Sequence, residues 1–291
     1  MSQSPVLVTG ATSSVGSAAI RQLAEAGRPV RALVRDRSKA SRLDLRAEVI
    51  VGDLGRPDSL GPAFEGVERV LVISNGSDLD RLEANAHEAA KQAGARHVVK
   101  LSGLGADWPL YEGTVFARWH TKSEERLKAL GPAWTILRPC FFNSNVFAFG
   151  AMERGGFFLP AGQGKEAVID PVDIAAVAVK ALTEPGHDSR VYELTGPELL
   201  GFGELTERLA AFTGASLVYV DVPEAAAREG LISAGILPEH AEVIMRYFSA
   251  MREGRMTVLP TVTEVLGRPA RRFDDWLQAN AAELGSAGRA A

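Results

Sequence analysis

The sequence predicts a doubly wound α/β fold, in which a parallel sheet is covered by helices on both faces. Three observations predict it. Short β-branched apolar runs recur at residues 5 to 9, 29 to 34, 48 to 51, 68 to 73, 97 to 101 and 133 to 137, each of strand length and apolar enough for burial on both sides. Helix-favouring stretches rich in Ala, Glu and Lys lie between several of them. After about Asn145 the alternation gives way to a glycine-punctuated segment, and the later helix and strand signals follow a different rhythm.

Taken in order, Val6-Leu7-Val8-Thr9 reads as a strand that passes through a glycine turn into a helix. Val15, Ala19 and Leu23 recur there at i, i+4, and Gly27 stops the helix. Residues 80 to 93 and 118 to 130 read as further helices. Gly150, Gly155, Gly156, Pro160, Gly162 and Gly164 mark a loop-rich stretch. Beyond it the pattern predicts a helix from near Pro171, a strand near Arg190, a helix near Gly203 and a strand over residues 217 to 221. Residues 224 to 254 read as one or two helices with Pro238 at a start position. Residues 1 to 150 are therefore read as a sheet domain. Residues 151 to 291 are read as a smaller α+β lobe packed on it, with some segments returning to the sheet, at the carboxyl ends of the strands where open α/β folds bind ligands. The tail from Gly285 is mostly small residues and is expected to fray.

Composition narrows the function classes. Thirty-two basic and 36 acidic side chains leave a formal charge of −4, spread along 291 residues, with no basic block to neutralise a run of phosphates. Nucleic acid is excluded as an expected partner. Cys140 is the single cysteine, so an intramolecular disulfide is impossible and a cysteine-rich metal site is not expected; a reducing cytoplasm suits such a chain. The five histidines show no metal-ligand spacing, and no metal is expected. The short polar start gives no secretory pattern, and no apolar run approaches the roughly 18 residues of a membrane span. The expectation is a cytoplasmic monomer or homodimer with no membrane partner.

The first strand, turn and helix carry the clearest functional signal. In Val6-Leu7-Val8-Thr9-Gly10-Ala11-Thr12-Ser13-Ser14-Val15-Gly16, Gly10 permits a tight turn and Gly16 permits close packing of the helix. Free amides at the helix start would face a pyrophosphate. Ser13 stands where a middle glycine is usual, and its hydroxyl, with those of Thr12 and Ser14, is a candidate phosphate donor. The second strand ends in Arg35-Asp36-Arg37-Ser38-Lys39. An acid at this point would bind the ribose 2′-hydroxyl of NAD, and an arginine the 2′-phosphate of NADP. Arg35 comes first after the apolar run, with Lys39 nearby, so NADP(H) is favoured over NAD(H); a one-residue shift of the strand end would bring in Asp36 and reverse the preference. Asp53-Leu54 after the third strand is either an adenine-edge contact or a capping pair.

These residues resemble the NmrA-like branch of the atypical short-chain dehydrogenases/reductases. The resemblance rests on Thr-Gly-Ala-Thr-x-x-x-Gly at the first turn, Val30-Arg31-Ala32-Leu33-Val34-Arg35, Gly52-Asp53-Leu54, Leu101-Ser102-Gly103-Leu104-Gly105-Ala106 and the segment Thr135 to Asn145. Asp173-Ile174-Ala175, Tyr192-Glu193-Leu194-Thr195-Gly196-Pro197-Glu198 and Gly267-Arg268-Pro269-Ala270 extend it. It implies a Rossmann core with a small C-terminal substrate lobe, and a family that holds quinone reductases, other reductases and dinucleotide sensors without turnover. It further implies Gly10, Thr12, Ser13 and Gly16 at the phosphates, with Ser14 and Val15 in the same turn, and Arg35 at the 2′-phosphate. Ser74, Asn75, Gly76 and Ser102 would lie beside the ribose or nicotinamide, and Asn145 near the carboxamide.

Ordinary short-chain dehydrogenases pass a proton through a Tyr-x-x-x-Lys pair. Here the corresponding stretch reads His120-Thr121-Lys122-Ser123-Glu124. His120 and Glu124 share a helical face, so Glu124 would support His120 as a proton donor, or both would face solvent on an amphipathic helix. Tyr111 is the nearby phenol that could take the tyrosine's place. Trp108, Phe116, Trp119 and Phe142, with Phe141, Phe147 and Phe149, are candidate flat walls for a planar small-molecule acceptor, some of them core instead. A quinone or similarly activated carbonyl suits a site with a weak acid. The expected function is an NAD(P)H-dependent reductase of such an acceptor; the alternatives are a dinucleotide sensor without turnover and a reductase of another conjugated carbonyl in a biosynthetic pathway.

Overall fold

In a computed structural model that describes residues 4–44, 46–76, 78–148, 151–152 and 154–287, all six apolar runs form strands. The first half runs β1 (Val6–Val8), α1 (Ser14–Glu25), β2 (Val30–Val34), β3 (Glu48–Val51), α2 (Gly61–Phe64), β4 (Arg69–Val72), α3 (Leu79–Gln92), β5 (His97–Leu101), α4 (Val115–Ala129) and β6 (Ala133–Pro139). It continues with α5 (Asn145–Ala148), β7 (Gly156–Leu159), β8 (Lys165–Glu166), α6 (Pro171–Thr183), β9 (Arg190–Leu194), β10 (Leu200–Gly201), α7 (Phe202–Thr213) and β11 (Val218–Asp221). Helices α8 (Glu224–Ser233), α9 (Pro238–Arg252), α10 (Thr261–Leu266), α11 (Phe273–Ala279) and α12 (Ala281–Ala287) complete it. Gly285 lies inside α12, so the helix extends past the point where fraying was expected; residues 288–291 lie outside the described part.

Seven strands form one parallel sheet in the order β3-β2-β1-β4-β5-β6-β9. The chain reverses direction across the sheet between β1 and β4, and that switch point opens a crevice at the strands' carboxyl ends. Val6, Leu7 and Val8 are fully buried, as expected of a strand covered on both sides. One cover consists of α2, α3 and α4, whose Ala63, Phe64, Ala86, Ala90 and Leu127 join Leu7, Val70, Val98 and Ile136 in a single cluster. On the other, α1 packs on α6, and α6 packs against β4, β5 and β6. Helix α4 begins at Val115 because the Thr114 hydroxyl accepts from the Ala117 N–H (3.2 Å) and caps its first turn.

The chain divides into two compact units, and the division is interleaved. The sheet unit comprises the chain up to Ala106, Arg118–Pro139 and Pro171–Leu194; the second comprises Asp107–Ala117, Cys140–Asp170 and everything from Thr195. Against a single cut at residue 150, residues 107–117 and 140–148 group with the second unit, and α6 and β9 are later segments that belong to the sheet unit. The physical reason is pairing: β9 completes the sheet through five parallel register pairs with β6, from Thr135↔Arg190 to Pro139↔Leu194.

The second unit is α+β. Strand β11 pairs in parallel with β7, and β10 pairs antiparallel with β8. Around them Phe157, Phe202, Met245, Phe248, Met251, Phe273 and Trp276 form a core. Strands β7 and β8 fall in the stretch read as loop, because glycines flank them and each is very short. Gly156 has φ 141°, and a Cβ there would come within 1.8 Å of the Val218 carbonyl oxygen, so its glycine allows strand pairing as well as a turn.

Candidate active site

The crevice at the switch point begins with how β1 ends. The Thr9 hydroxyl donates to the Ile73 carbonyl and accepts from the Ile73 N–H, both at 2.8 Å, locking the ends of β1 and β4 together. Gly10 follows with φ 56°, and a Cβ there would meet Ile73 atoms at 2.8 Å. Two separate constraints thus demand glycine. Ser13 then caps α1: its Oγ accepts from the Gly16 N–H at 3.0 Å, while its own N–H donates to the Gly10 carbonyl at 2.9 Å. A Cβ on Gly16 would lie 2.3 Å from the Gly10 carbonyl oxygen. Gly16 therefore serves contact between helix and turn, where the sequence suggested contact between helix and sheet.

Residues Gly10–Ser13, Leu33–Arg35, Gly52–Leu54 and Ile73–Asn75, with Leu82, line an open cleft of ≈ 280 Å³. The lining is graded. The turn Gly10–Ser13 occupies one part; Leu33, Leu54, Ile73 and Leu82 form apolar walls; exposed Arg35 stands at the end of β2. Thr12 and Ser14 are exposed at the turn, and buried Val15 can offer only its backbone. Asp36 lies just beyond, and its carboxylate accepts from the Ser38 N–H at 2.9 Å, capping the 3-10 turn Arg37–Arg42. That bond, the Ser38 hydroxyl and Lys39 hold its carboxyl below the usual carboxylate range. Lys39 belongs to the same turn and is not part of the cleft lining. Asp53 both lines the cleft and closes a local turn, accepting from the Gly55 N–H at 2.8 Å. Ile73 and Leu82 are lining residues that the sequence did not single out, while Leu33, Val34 and Gly52 stood in the quoted motifs without an assigned role.

The cradle fits a dinucleotide, with amides for a pyrophosphate, flat apolar walls for a base and a cation for a 2′ substituent. Residues 10–185 match the NAD(P)H-binding family. The chain belongs to that family. It is an NAD(P)H-binding protein of the NmrA-like atypical short-chain dehydrogenase/reductase kind. It is 37% identical to the NAD(P)H azoreductase of Xenophilus azovorans over 97% of this chain and 100% of that one. It is also 37% identical to a (4-alkanoyl-5-oxo-2,5-dihydrofuran-3-yl)methyl phosphate reductase of Streptomyces griseus, over 93% of this chain and 96% of that one. The crystal structure of an NADPH-dependent quinone oxidoreductase of Escherichia coli complexed with NADPH superposes with a TM-score of 0.79 at 29% identity, covering 94% of this chain and 99% of that one.

Beyond the cleft this NAD(P)H-binding protein holds a buried polar network within the same unit. Ser74 lines the cleft, and its hydroxyl donates to Glu83 Oε1 at 2.9 Å. The other Glu83 oxygen pairs with Lys100 Nζ at 2.8 Å, both side chains fully buried, and takes the Ser123 hydroxyl as well. Lys100 in turn reaches Nδ1 of His120 at 3.4 Å. Glu124 lies next to this chain: Arg138 grips it through Nε at 3.1 Å and Nη2 at 2.7 Å, and the Ser102 hydroxyl donates to it at 2.6 Å. Ser102 is thus occupied by Glu124 and does not line the cleft, nor does Gly76, whose φ is 128°.

Both readings of the His120 and Glu124 pair need correction. The residues are buried, at 8% and 2% exposure, so neither is a solvated helix face. Nor is Glu124 the charge acting on His120. Burial, then Lys100, then Arg138 hold the imidazole well below its usual range, because each opposes a second positive charge. Sequence reasoning missed Glu83, Lys100 and Arg138. A lysine inside the run His97-Val98-Val99-Lys100-Leu101 was the available signal, since a strand buried on both faces can hold a lysine only against a buried partner.

The remaining candidates lie mostly in the second unit. Tyr111 is buried between Trp108 (centroids 6.4 Å apart, stacked) and Phe116 (5.3 Å). Burial, with Glu166 adding to it, pushes its phenol far above the usual range, which makes it a poor replacement acid. Phe142 is half-buried and bridges to Ile169; Phe141 stacks on Tyr247 at 5.7 Å; Phe147 packs on Trp276 at 5.8 Å. Asn145 opens α5 in this unit. Phe149 lies outside the described residues. Trp119 is half-buried on α4 in the sheet unit. Cys140 is a buried thiol donating to the Ala167 carbonyl, with burial pushing its pKa well up, as suits a small core side chain. Among the described residues, no helix is long and apolar enough to cross a membrane.

Proposed function

We propose that the chain is an NADPH-preferring reductase of planar, conjugated acceptors such as quinones and activated carbonyl compounds. The observation that carries the preference is the exchange of roles at the end of β2: Arg35 lines the cleft, whereas Asp36 is spent on a backbone cap. A guanidinium there offers a forked, charge-assisted contact to a 2′-phosphate, whereas one oxygen of the Asp36 carboxylate is engaged in the cap and Asp36 does not line the cleft. The azoreductase, the butenolide phosphate reductase and the quinone reductase among its relatives bear names that share conjugated, electron-poor acceptors.

The bound reduced nicotinamide supplies a hydride. The protein's part is to hold the two reactants in register, exclude water and accommodate the charge that appears on the acceptor. A quinone suits this chain because its two-electron product is a phenolate-type anion, far less basic than an alkoxide. The side chains at hand agree with a modest demand. No Tyr-x-x-x-Lys pair stands on α4, Tyr111 is a very weak acid, and His120 is held in its neutral form. On this reading His120 shapes or hydrogen-bonds the acceptor without serving as an imidazolium acid.

The test is NADPH consumption by purified protein with a panel of quinones, azo dyes, conjugated enones and simple ketones. Turnover above the chemical background is expected with the conjugated members and absent with the simple ketones. Saturable NADPH binding without consumption anywhere in the panel would defeat the proposal and favour a dinucleotide sensor.

A further inference from the structure

Two serines that line the cleft differ in where their single hydroxyl hydrogen goes. Ser13 Oγ accepts from the Gly16 N–H at 3.0 Å, a bond that uses a lone pair and leaves the hydrogen to donate. Ser74 is arranged the other way. Its hydroxyl donates to Glu83 Oε1 at 2.9 Å, so the oxygen has only lone pairs left to offer.

The direction of the Ser74 bond follows from the other contacts of Glu83. Its Oε2 meets Lys100 Nζ at 2.8 Å and takes the Ser123 hydroxyl. Both charged side chains are fully buried, and a buried ammonium requires an ionised partner. An ionised carboxylate has no hydrogen, so Ser74 is the donor between the two. Contacts from β5 and α4 thus hold Glu83, on α3, against a cleft residue just past β4. The backbone there is fixed as well, because Ile73 is bonded twice to Thr9.

We infer that Glu83 is a positioning residue of the cleft: by taking the Ser74 hydrogen it makes that hydroxyl an acceptor, which engages a ribose hydroxyl of the cofactor and not a phosphate. This rests on the reading of the cleft as the dinucleotide site. Ionised phosphate oxygens carry lone pairs and no hydrogen, so an acceptor facing them gains nothing. Ribose hydroxyls are donors, and in a dinucleotide the riboses adjoin the pyrophosphate. Ser74 has the matching place in the protein. Its neighbour Ile73 lies so near the first turn that a Cβ on Gly10 would meet it at 2.8 Å. The cleft is thereby sorted, with donation to phosphate at the turn into α1 and acceptance from sugar just past β4. Donating to a carboxylate also polarises the Ser74 hydroxyl, which strengthens it as an acceptor.

Two binding measurements, both independent of turnover, test this by NADPH fluorescence. Ser74→Ala should weaken NADPH by about 5-fold, the loss of one hydrogen bond, while the affinity of inorganic pyrophosphate, read by displacement, stays within about 2-fold. Equal losses for both ligands would make Ser74 a phosphate contact, and no loss for either would remove it from the site; each overturns the inference. The second measurement is a cycle with Glu83→Gln. Lys100 holds the amide oxygen, so the amide nitrogen turns to Ser74 and donates to it, and the hydroxyl is no longer fixed as an acceptor. In that background Ser74→Ala should cost NADPH less than about 2-fold. A cost of about 5-fold in both backgrounds would make Glu83 merely structural, whatever the melting temperature does. If the unpaired ammonium prevents folding, Glu83→Gln with Lys100→Met removes both charges and the same comparison is read there. Parent protein that binds no NADPH would overturn the reading of the cleft itself; parent protein that binds it, with Ser74 and Glu83 uncoupled, would overturn the inference alone.

Discussion

Arg35 and Asp36 differ by one position and by everything that matters for cofactor choice. Arg35 enters the cleft and Asp36 turns back to the Ser38 N–H. On the proposed reading, Arg35→Ala lowers NADPH affinity by about 10-fold or more, the loss of one charge-assisted contact, and leaves NADH affinity within about 2-fold. Titration calorimetry with both nucleotides checks this, and equal losses would remove the 2′-phosphate assignment. The pair Glu124 and Arg138 illustrates the opposite use of charge. Both are buried and bidentately joined, so Arg138→Met alone leaves an uncompensated carboxylate and destabilises by about 3–5 kcal/mol. Adding Glu124→Gln should recover much of that loss in a denaturant titration. Additive losses in the double variant would mean that the pair's mutual neutralisation is unimportant.

At the scale of elements, the turn from β1 into α1 is built as a closed set of contacts, and each glycine in it has a steric reason. A Cβ on Gly16 lies too close to the Gly10 carbonyl for any side chain, so Gly16→Val must move the helix away from the turn. Overpacking of this kind costs about 1–3 kcal/mol, and the displaced amides should weaken NADPH and NADH alike. Unchanged affinity for both nucleotides would show that the turn lies away from the phosphates. Ser13→Ala, by contrast, removes only the cap to the Gly16 N–H, worth about 1 kcal/mol. A melting temperature lower by roughly 2–4 °C is expected for a chain of this size.

The whole molecule should respond to pH in a direction its buried groups determine. His87, His97 and His120 are all held below the ordinary histidine value, chiefly by burial, His87 down to about 3. The unfolded chain takes up protons that the folded chain refuses, so these groups cost stability as pH falls below about 6.5. Glu166 acts in the opposite sense. Burial raises its carboxyl to about 7, although Tyr247 donates to it at 2.7 Å, and its contribution is lost as pH rises from its unfolded value through that point. Between about pH 5 and 6.5 the lowered histidines, His187 among them, outweigh the one carboxyl, so unfolding takes up protons on balance. Thermal midpoints should climb steadily from pH 5 to about 7; a flat or falling profile would contradict the buried, neutral state of these histidines.

What the sequence by itself determined was whatever is written in local period and local sterics. Strands appear where β-branched runs recur, Gly10 and Gly16 bracket the turn, and Arg35 follows the second strand. These signals survive without tertiary context because they depend on neighbours a few residues away. Only the tertiary structure decided how polar groups pair. Glu124 sits one helical turn from His120, yet its oxygens go to Arg138 and Ser102, which are 14 and 22 residues distant. Lys100 lies within an apolar run, and its burial becomes tolerable only when Glu83 arrives from helix α3. The interleaved units have the same origin: β9 returns from beyond residue 170 to pair with β6, because an unfinished sheet edge takes whichever later strand matches its register. Periodicity states which face of an element is buried; the long-range register of the fold states which side chains meet there.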